Sequence, residues 1–319
     1  MPSTQTNRRA LFLFAAAVLV AVLGACAPRP RESDAAAFER IYAGVPRDQV
    51  DRLVEFRVSH PYKEVTVGAA RWHYIACGSG EQTLVLLPGV SRQAESTFVL
   101  ISLLEGRYRI IAPSYPPVRT MGELADGLAG ILEAEGVEQA AVWGTSFGGM
   151  VAHVFVHRYP EKVSRLIVAN SGMPNLSPAV LAVLQTARYW PTPLAMAVLR
   201  QALSGAEEAD DPERDFWRAR LNELFSGVLT RADAVASVEN SVDFVRHGHY
   251  APDALAGWKG QVLFLLSQND QSVSASEREA LRAQYPQAEV YVFRGAPHEP
   301  WRTHREEYLR VLGEFLERE

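Results

Sequence analysis

Between residues 64 and 169 the chain repeats one pattern. A short run rich in Val, Leu, Ile and aromatic residues is followed by a segment whose apolar positions recur at helical spacing, and then by another short run. The runs at 64–69, 71–77, 83–87, 108–112, 140–144 and 165–169 read as strands, and two more follow at 261–266 and 289–293. Several are apolar almost without interruption, as strands covered on both faces must be. Helical segments lie at 95–104, 121–135, 147–158, 274–285 and 305–317, and shorter ones at 38–42 and 50–58. Parallel strands need a crossover, usually a helix, so this alternation predicts an α/β fold: a mostly parallel, twisted sheet of eight strands with helices on both faces. No internal repeat or low-complexity tract breaks the pattern.

One interval does not fit. Residues 173–260 separate two strands that a normal connection would join in a fraction of that length. Helical spacing recurs within it at 178–187, 193–203, 214–225 and 232–246, punctuated by Pro191, Pro193, Gly205 and Gly227. The reading is a helical lid inserted between core segments 38–172 and 261–319. The acidic run 207–215 reads as a solvated helix start rather than a cation site.

Composition sets bounds on partners. At 48% hydrophobic and 22% charged residues the chain is neither disordered nor fibrous. The net charge is −5, and Lys and Arg are scattered, so there is no basic patch for a phosphate backbone and nucleic acid is not an expected partner. The only cysteines, Cys26 and Cys77, form no Cys-x-x-Cys pair, and no metal or cofactor is expected.

The first residues carry an address. Arg8-Arg9 precede an apolar run over 11–23, and Gly24-Ala25-Cys26 follow, which is the layout of a signal peptide. That run makes a helix of roughly 20 Å, short of the roughly 30 Å hydrocarbon core, which disfavours a permanent transmembrane anchor. Leu23-Gly24-Ala25-Cys26 resembles the bacterial lipobox, which implies cleavage after residue 25 and acylation of Cys26. Residues 26–37 would then be a tether, and the protein would be lipid-anchored in the bacterial cell envelope. Twin-arginine and general export stay open. Cys77, without a partner, reads as a small core residue closing a strand.

The chemistry centres on Gly144-Thr145-Ser146-Phe147-Gly148-Gly149, which lies where strand 140–144 meets helix 147–158. Gly-x-Ser-x-Gly at a strand-to-helix turn is the nucleophile elbow: the serine sits in strained backbone, and the flanking positions have no room for a side chain.

With this motif in this context, the chain resembles the α/β-hydrolase family over about residues 60–319. The resemblance implies an acid and then a histidine downstream of the serine. Of the two strand ends that can carry the acid, one holds Asn170, which does not ionise, and the other reads Ser267-Gln268-Asn269-Asp270. Asp270 is the expected acid. The loop Gly295-Ala296-Pro297-His298 places His298 as the base, ahead of His304 at the start of the last helix. Ser146 would attack a carbonyl, His298 would move its proton, and Asp270 would orient the ring. The oxyanion donors would be the backbone N–H groups of Phe147 and of Val90 in Pro88-Gly89-Val90-Ser91.

The expected activity is that of a serine hydrolase of carboxylic esters with an apolar portion, and amidase, peptidase and carbon–carbon hydrolase share the machinery. Relatives that place Asp at the position of Ser146, dehalogenases and epoxide hydrolases, are disfavoured. Pro88-Gly89 stands where the family commonly has His-Gly, and Pro113-Ser114-Tyr115-Pro116-Pro117 replaces an Asp-x-x-Gly-x-Gly. Together with Phe56-Arg57-Val58-Ser59-His60-Pro61, these features look closest to the maspardin-like branch. That branch includes binding proteins, so a membrane-tethered, non-catalytic binding protein is the alternative. His153 and His157 have metal-ligand spacing but read as a packed helix face. Tyr189, Trp190, Phe216, Trp217 and Trp258 read mostly as lid core with a minority lining the site, and His247 and His249 read as a loop.

Overall fold

The computed structural model describes residues 34–204, 211–251 and 253–318. The leader 1–25, Cys26 and the tether up to residue 33 lie outside the described residues. Helix α1 (Asp34–Ile41) begins inside the expected tether, because Ala35, Ala36 and Ala37 favour helix over an extended linker. Helix α2 (Arg47–Ser59) follows and buries Val50, Leu53 and Phe56. Among the described residues no helix is long and apolar enough to cross a membrane.

All eight expected strands form: β1 (Lys63–Val67), β2 (Ala70–Cys77), β3 (Thr83–Leu87), β4 (Arg109–Ser114), β5 (Ala140–Thr145), β6 (Val163–Ala169), β7 (Gln261–Ser267) and β8 (Glu289–Phe293). They make one sheet in the order β1-β2-β4-β3-β5-β6-β7-β8. Strand β2 runs antiparallel to both neighbours, and every pairing from β4 to β8 is parallel.

The alternation along each strand divides the core in two. In β3, Leu84 and Leu86 face one apolar cluster, while Val85 and Leu87 face the other. The first cluster takes in α2, helix α3 (Phe98–Leu104) and the C-terminal helix. The second takes in helix α4 (Met121–Ala134) and helix α5 (Phe147–Arg158), which pack side by side. Helix α4 starts in a capping box: the Thr120 hydroxyl accepts from the Glu123 N–H, and the Glu123 side chain accepts from the Thr120 N–H.

Between β6 and β7 lie helices α6 (Pro178–Leu184), α7 (Thr192–Ser204), α8 (Arg214–Glu223) and α9 (Arg231–His247). Helices α6, α7 and α9 form a third apolar cluster around Trp190, Leu199, Leu224 and Val238, while α8 buries Phe216 and Ala219 in the first cluster. Two expected helices are shorter than their apolar spacing suggested. A short 3-10 turn at 187–189 and a π-helical turn at 224–228 take over at their ends. His247 closes α9 instead of lying in a loop, with Gly248 following as its C-cap. Helices α10 (Ala275–Arg282), α11 (Pro300–Thr303) and α12 (Arg305–Leu316) complete the chain.

Candidate active site

Ser146 stands between the end of β5 and the first residue of α5, with φ 51° and ψ −120°. A non-glycine residue reaches that region only when its surroundings impose it. Here its N–H donates to the Ala169 carbonyl of the neighbouring strand at 2.9 Å, which pins the turn to the sheet. The glycines answer to contact as well. A Cβ on Gly148 would lie 2.3 Å from the Leu87 carbonyl oxygen, and one on Gly144 would lie 2.2 Å from the Gly148 oxygen. Both neighbours are backbone, so neither can yield as a side chain would.

The structure brings the three distant residues together. Ser146 and His298 line one cavity of about 110 Å³. His298 Nδ1 lies 2.9 Å from Asp270 Oδ1. Burial raises the Asp270 carboxyl, but the His298 ring, by hydrogen bond and charge, and the N–H groups of Ser272 and Val273 hold it below the usual carboxylate range. Asp270 is thus ionised at neutral pH and can only accept. Nδ1 of His298 therefore donates, which leaves Nε2 as the basic nitrogen. Arg278 Nη1 stands 3.5 Å from the second Asp270 oxygen and donates to the Ser267 carbonyl at 2.9 Å, joining the acid's loop to the end of β7. His304 instead caps the start of α12, its ring against the Thr303 hydroxyl.

Asn170, passed over as an acid, holds the site from behind. It is completely buried at φ 41°. Its Nδ2 donates to the His298 carbonyl at 2.7 Å and to the Ser267 hydroxyl at 2.8 Å, and its Oδ1 accepts from the Ser267 N–H at 2.8 Å. An amide, with donors and an acceptor, does what a carboxylate could not: it clasps β6 to β7 and to the loop of the histidine.

Val90 lines the cavity. Phe147 opens α5, where the first N–H groups have no intrahelical acceptor, and buries its ring against Tyr115. The far wall comes from Ala202 and Leu203, from the stretch 217–224, and from Glu299, Trp301 and Arg302. Of the aromatics expected there, Trp217 lines the cavity. Phe216 is in the core, Trp190 in the lid core, Trp258 packs on the sheet, and Tyr189 is exposed.

Sequence reasoning missed Trp301, Arg220, Glu299 and Arg302. Arg220 is buried between Glu95, at 2.8 Å, and Glu223, and Arg57 reaches the same two carboxylates at 2.7 and 2.8 Å. Arg302 pairs with Asp211 at 2.5 Å and Glu299 at 2.6 Å. This corrects the reading of the acidic run 207–215. Residues 207–210 lie outside the described residues, but Asp211 is buried in an ion pair with the core rather than solvated. A long-range partner leaves no local signal, so spacing alone could not find it.

The remaining candidates are packing residues. His153 is fully buried, with Nδ1 at 2.6 Å from the Tyr285 hydroxyl and Nε2 at 2.8 Å from the Gly248 carbonyl, and burial lowers its pKa to about 3. His157 stacks on Tyr250 with ring centroids 3.9 Å apart. Cys77 is half-buried against the core, and burial together with Glu105 pushes its thiol up to about 12, which makes it unreactive.

With this geometry in hand, the comparison with known families is direct: residues 82–301 match the alpha/beta hydrolase fold family. The chain belongs to that family. Among its relatives, a 2-hydroxy-6-oxononadienedioate/2-hydroxy-6-oxononatrienedioate hydrolase of Burkholderia vietnamiensis is 26% identical over 270 residues, covering 78% of this chain and 91% of the relative. Among solved structures, a hydrolase from Pseudomonas aeruginosa superposes with a TM-score of 0.65 at 19% identity, covering 81% of this chain and 99% of its own. The enol-lactonase of Burkholderia xenovorans gives the same TM-score at 19% identity, over 80% of this chain and all of that one. The protein is a hydrolase with the alpha/beta hydrolase fold.

Proposed function

We propose that this hydrolase cleaves uncharged carboxylic esters with a compact apolar acyl group, by way of an acyl-enzyme on Ser146. The observation that carries the reading is the opening of Ser146, in its constrained backbone, and of His298, bonded to Asp270, on one cavity. Ser146 Oγ would bond the carbonyl carbon while its proton passes to His298 Nε2, and the same proton would then leave with the alcohol. Water repeats the sequence to release the acid. Val90 and Phe147 would supply the oxyanion donors, and residues 173–260 would act as the lid.

The wall of the cavity argues for a neutral substrate. The relative named above acts on a dioate, a dicarboxylate, which needs cations to receive it. Here both cavity arginines are already engaged, Arg220 by Glu95 and Glu223, and Arg302 by Asp211 and Glu299. A substrate carboxylate would have to displace a buried partner. Trp217 and Trp301 add large apolar ring surfaces to the same wall, which suits an uncharged substrate.

Lipid attachment at Cys26, and with it residence at the cell envelope, remains part of the proposal. It rests on the lipobox resemblance. A resemblance to the maspardin-like branch likewise rests on Pro88-Gly89, on 113–117 and on 56–61.

The test is labelling by a fluorophosphonate together with turnover of p-nitrophenyl esters from acetate to decanoate and of a hydroxy-oxo-dienedioate. Labelling that disappears in Ser146→Ala, with kcat/KM highest for short acyl chains, is the expected result. A folded wild-type protein that neither labels nor turns over esters, or that prefers the dioate, would overturn the reading.

A further inference from the structure

Arg92 closes the turn Gly89-Val90-Ser91-Arg92 that carries Val90 into the cavity, its N–H donating to the Gly89 carbonyl at 3.1 Å. It is completely buried, and its backbone lies at φ 62°, a conformation that a long L side chain adopts only under constraint. The guanidinium lies over the rings of Tyr115 and Phe147, with centroids at 5.8 and 6.0 Å. Its Nη1 donates to Asn240 Oδ1 at 3.0 Å, with the Ser237 hydroxyl at 3.4 Å, both on α9, and its Nη2 donates to the Pro116 carbonyl at 2.6 Å.

Every one of these partners is neutral. Arg220 and Arg302, equally buried, each hold two carboxylates. Among the described residues no carboxylate is in contact with Arg92, and Asp233 acts on it only through space. Burial lowers its pKa to about 10, so the group still carries its charge at neutral pH. A buried cation whose direct contacts are all neutral is costly to fold around, and such a charge is expected where a negative charge arises during reaction. That charge arises one residue away from Phe147, whose ring the guanidinium covers. When Ser146 Oγ bonds the acyl carbon, the carbonyl electron pair moves onto oxygen and the serine proton moves to His298.

We propose that Arg92 is the positioning residue of the oxyanion site. Its charge, with no carboxylate in contact among the described residues, lies over the Phe147 ring, and its hydrogen bonds to α9 and Pro116 hold the turn that carries Val90 into the cavity. The inference rests on the acyl-transfer reading given above. It also explains why a lid helix reaches the oxyanion loop: α9 holds the guanidinium that holds the loop.

The test compares wild type, Arg92→Met, Arg92→Lys and Asn240→Asp in steady-state turnover of p-nitrophenyl butyrate. It adds inhibition by a trifluoromethyl ketone, which binds serine as an anionic hemiketal, and by the matching methyl ketone, which binds neutral. Thermal melts establish folding. For Arg92→Met the expected result is a fall in kcat of about ten- to a hundredfold, with KM changed less than threefold. Trifluoromethyl ketone affinity should fall in parallel while methyl ketone affinity is unchanged.

Arg92→Lys, which keeps the charge, should recover most of the loss. Asn240→Asp, which places a carboxylate against an intact Arg92, should lower kcat severalfold, and this arm decides the matter if Arg92→Met does not fold. Wild-type kcat and ketone selectivity in folded Arg92→Met, or in Asn240→Asp, would overturn the inference alone. A wild type that neither labels with fluorophosphonate nor turns over esters would overturn the acyl-transfer reading instead.

Discussion

Replacing Asn170 by Ala tests whether the candidate base depends on a clasp outside the Ser–His–Asp set. Asn170 makes three hydrogen bonds of 2.7–2.8 Å while fully buried. Removing its amide orphans the Ser267 N–H and the His298 carbonyl, at about 1–3 kcal/mol each. Alanine at φ 41° adds about 1 kcal/mol, since asparagine tolerates the left-handed region better. The expected loss is about 3–5 kcal/mol, toward the lower end of the sum because water can reach a relaxed loop.

Urea unfolding followed by circular dichroism reads this as a lower midpoint at unchanged slope. Because the lost donor held the backbone of His298 itself, kcat should fall by about a hundredfold, the size of a 1 Å misplacement of a reacting group. An unfolding free energy within 1 kcal/mol of wild type together with kcat within threefold would refute the argument.

Two further outcomes follow from the charges around the site. Asp270→Asn should lower kcat by about 10⁴, since an amide no longer selects the His298 tautomer. It should also flatten the acid limb of stability. The Asp270 carboxyl is held below its ordinary value, so its contribution is complete above the unfolded pKa and is lost as pH falls through the folded one; melting temperature against pH from 2 to 7 in both proteins measures this. Arg302→Ala leaves Asp211 buried, and Glu299 half-buried, without their cation, at a cost of about 3–5 kcal/mol. Because Asp211 precedes α8, faster hydrogen exchange confined to residues 192–204 and 211–223 should accompany it, and unchanged exchange there would refute a role in holding these helices.

The eight strands, their mostly parallel order and the helices between β6 and β7 were legible along the chain, because period and composition are local properties that burial on two sheet faces imposes directly. The elbow was legible because its residue types recur at fixed spacing within one strand–turn–helix unit, although the contacts that demand Gly148 and Gly149 come from Leu87, Val168 and Ser171 on other segments. Helix ends were less so, as at α6 and α8, where 3-10 and π turns take over through packing rather than propensity.

Tertiary structure alone decided what surrounds the candidate site. Arg302 meets Asp211, Arg57 and Arg220 meet Glu95 and Glu223, Asn170 meets the His298 carbonyl, and Arg92 meets Asn240. Each pair joins residues distant in sequence, at positions that chain periodicity does not mark. A buried charge or amide takes its meaning from the partner that compensates it, and that partner is chosen by the fold. The chain by itself determined that a serine would be presented at a strained turn of an α/β sheet. The folded molecule determined that the cavity before it holds paired arginines and, at the 89–92 turn, an arginine with no carboxylate in contact among the described residues.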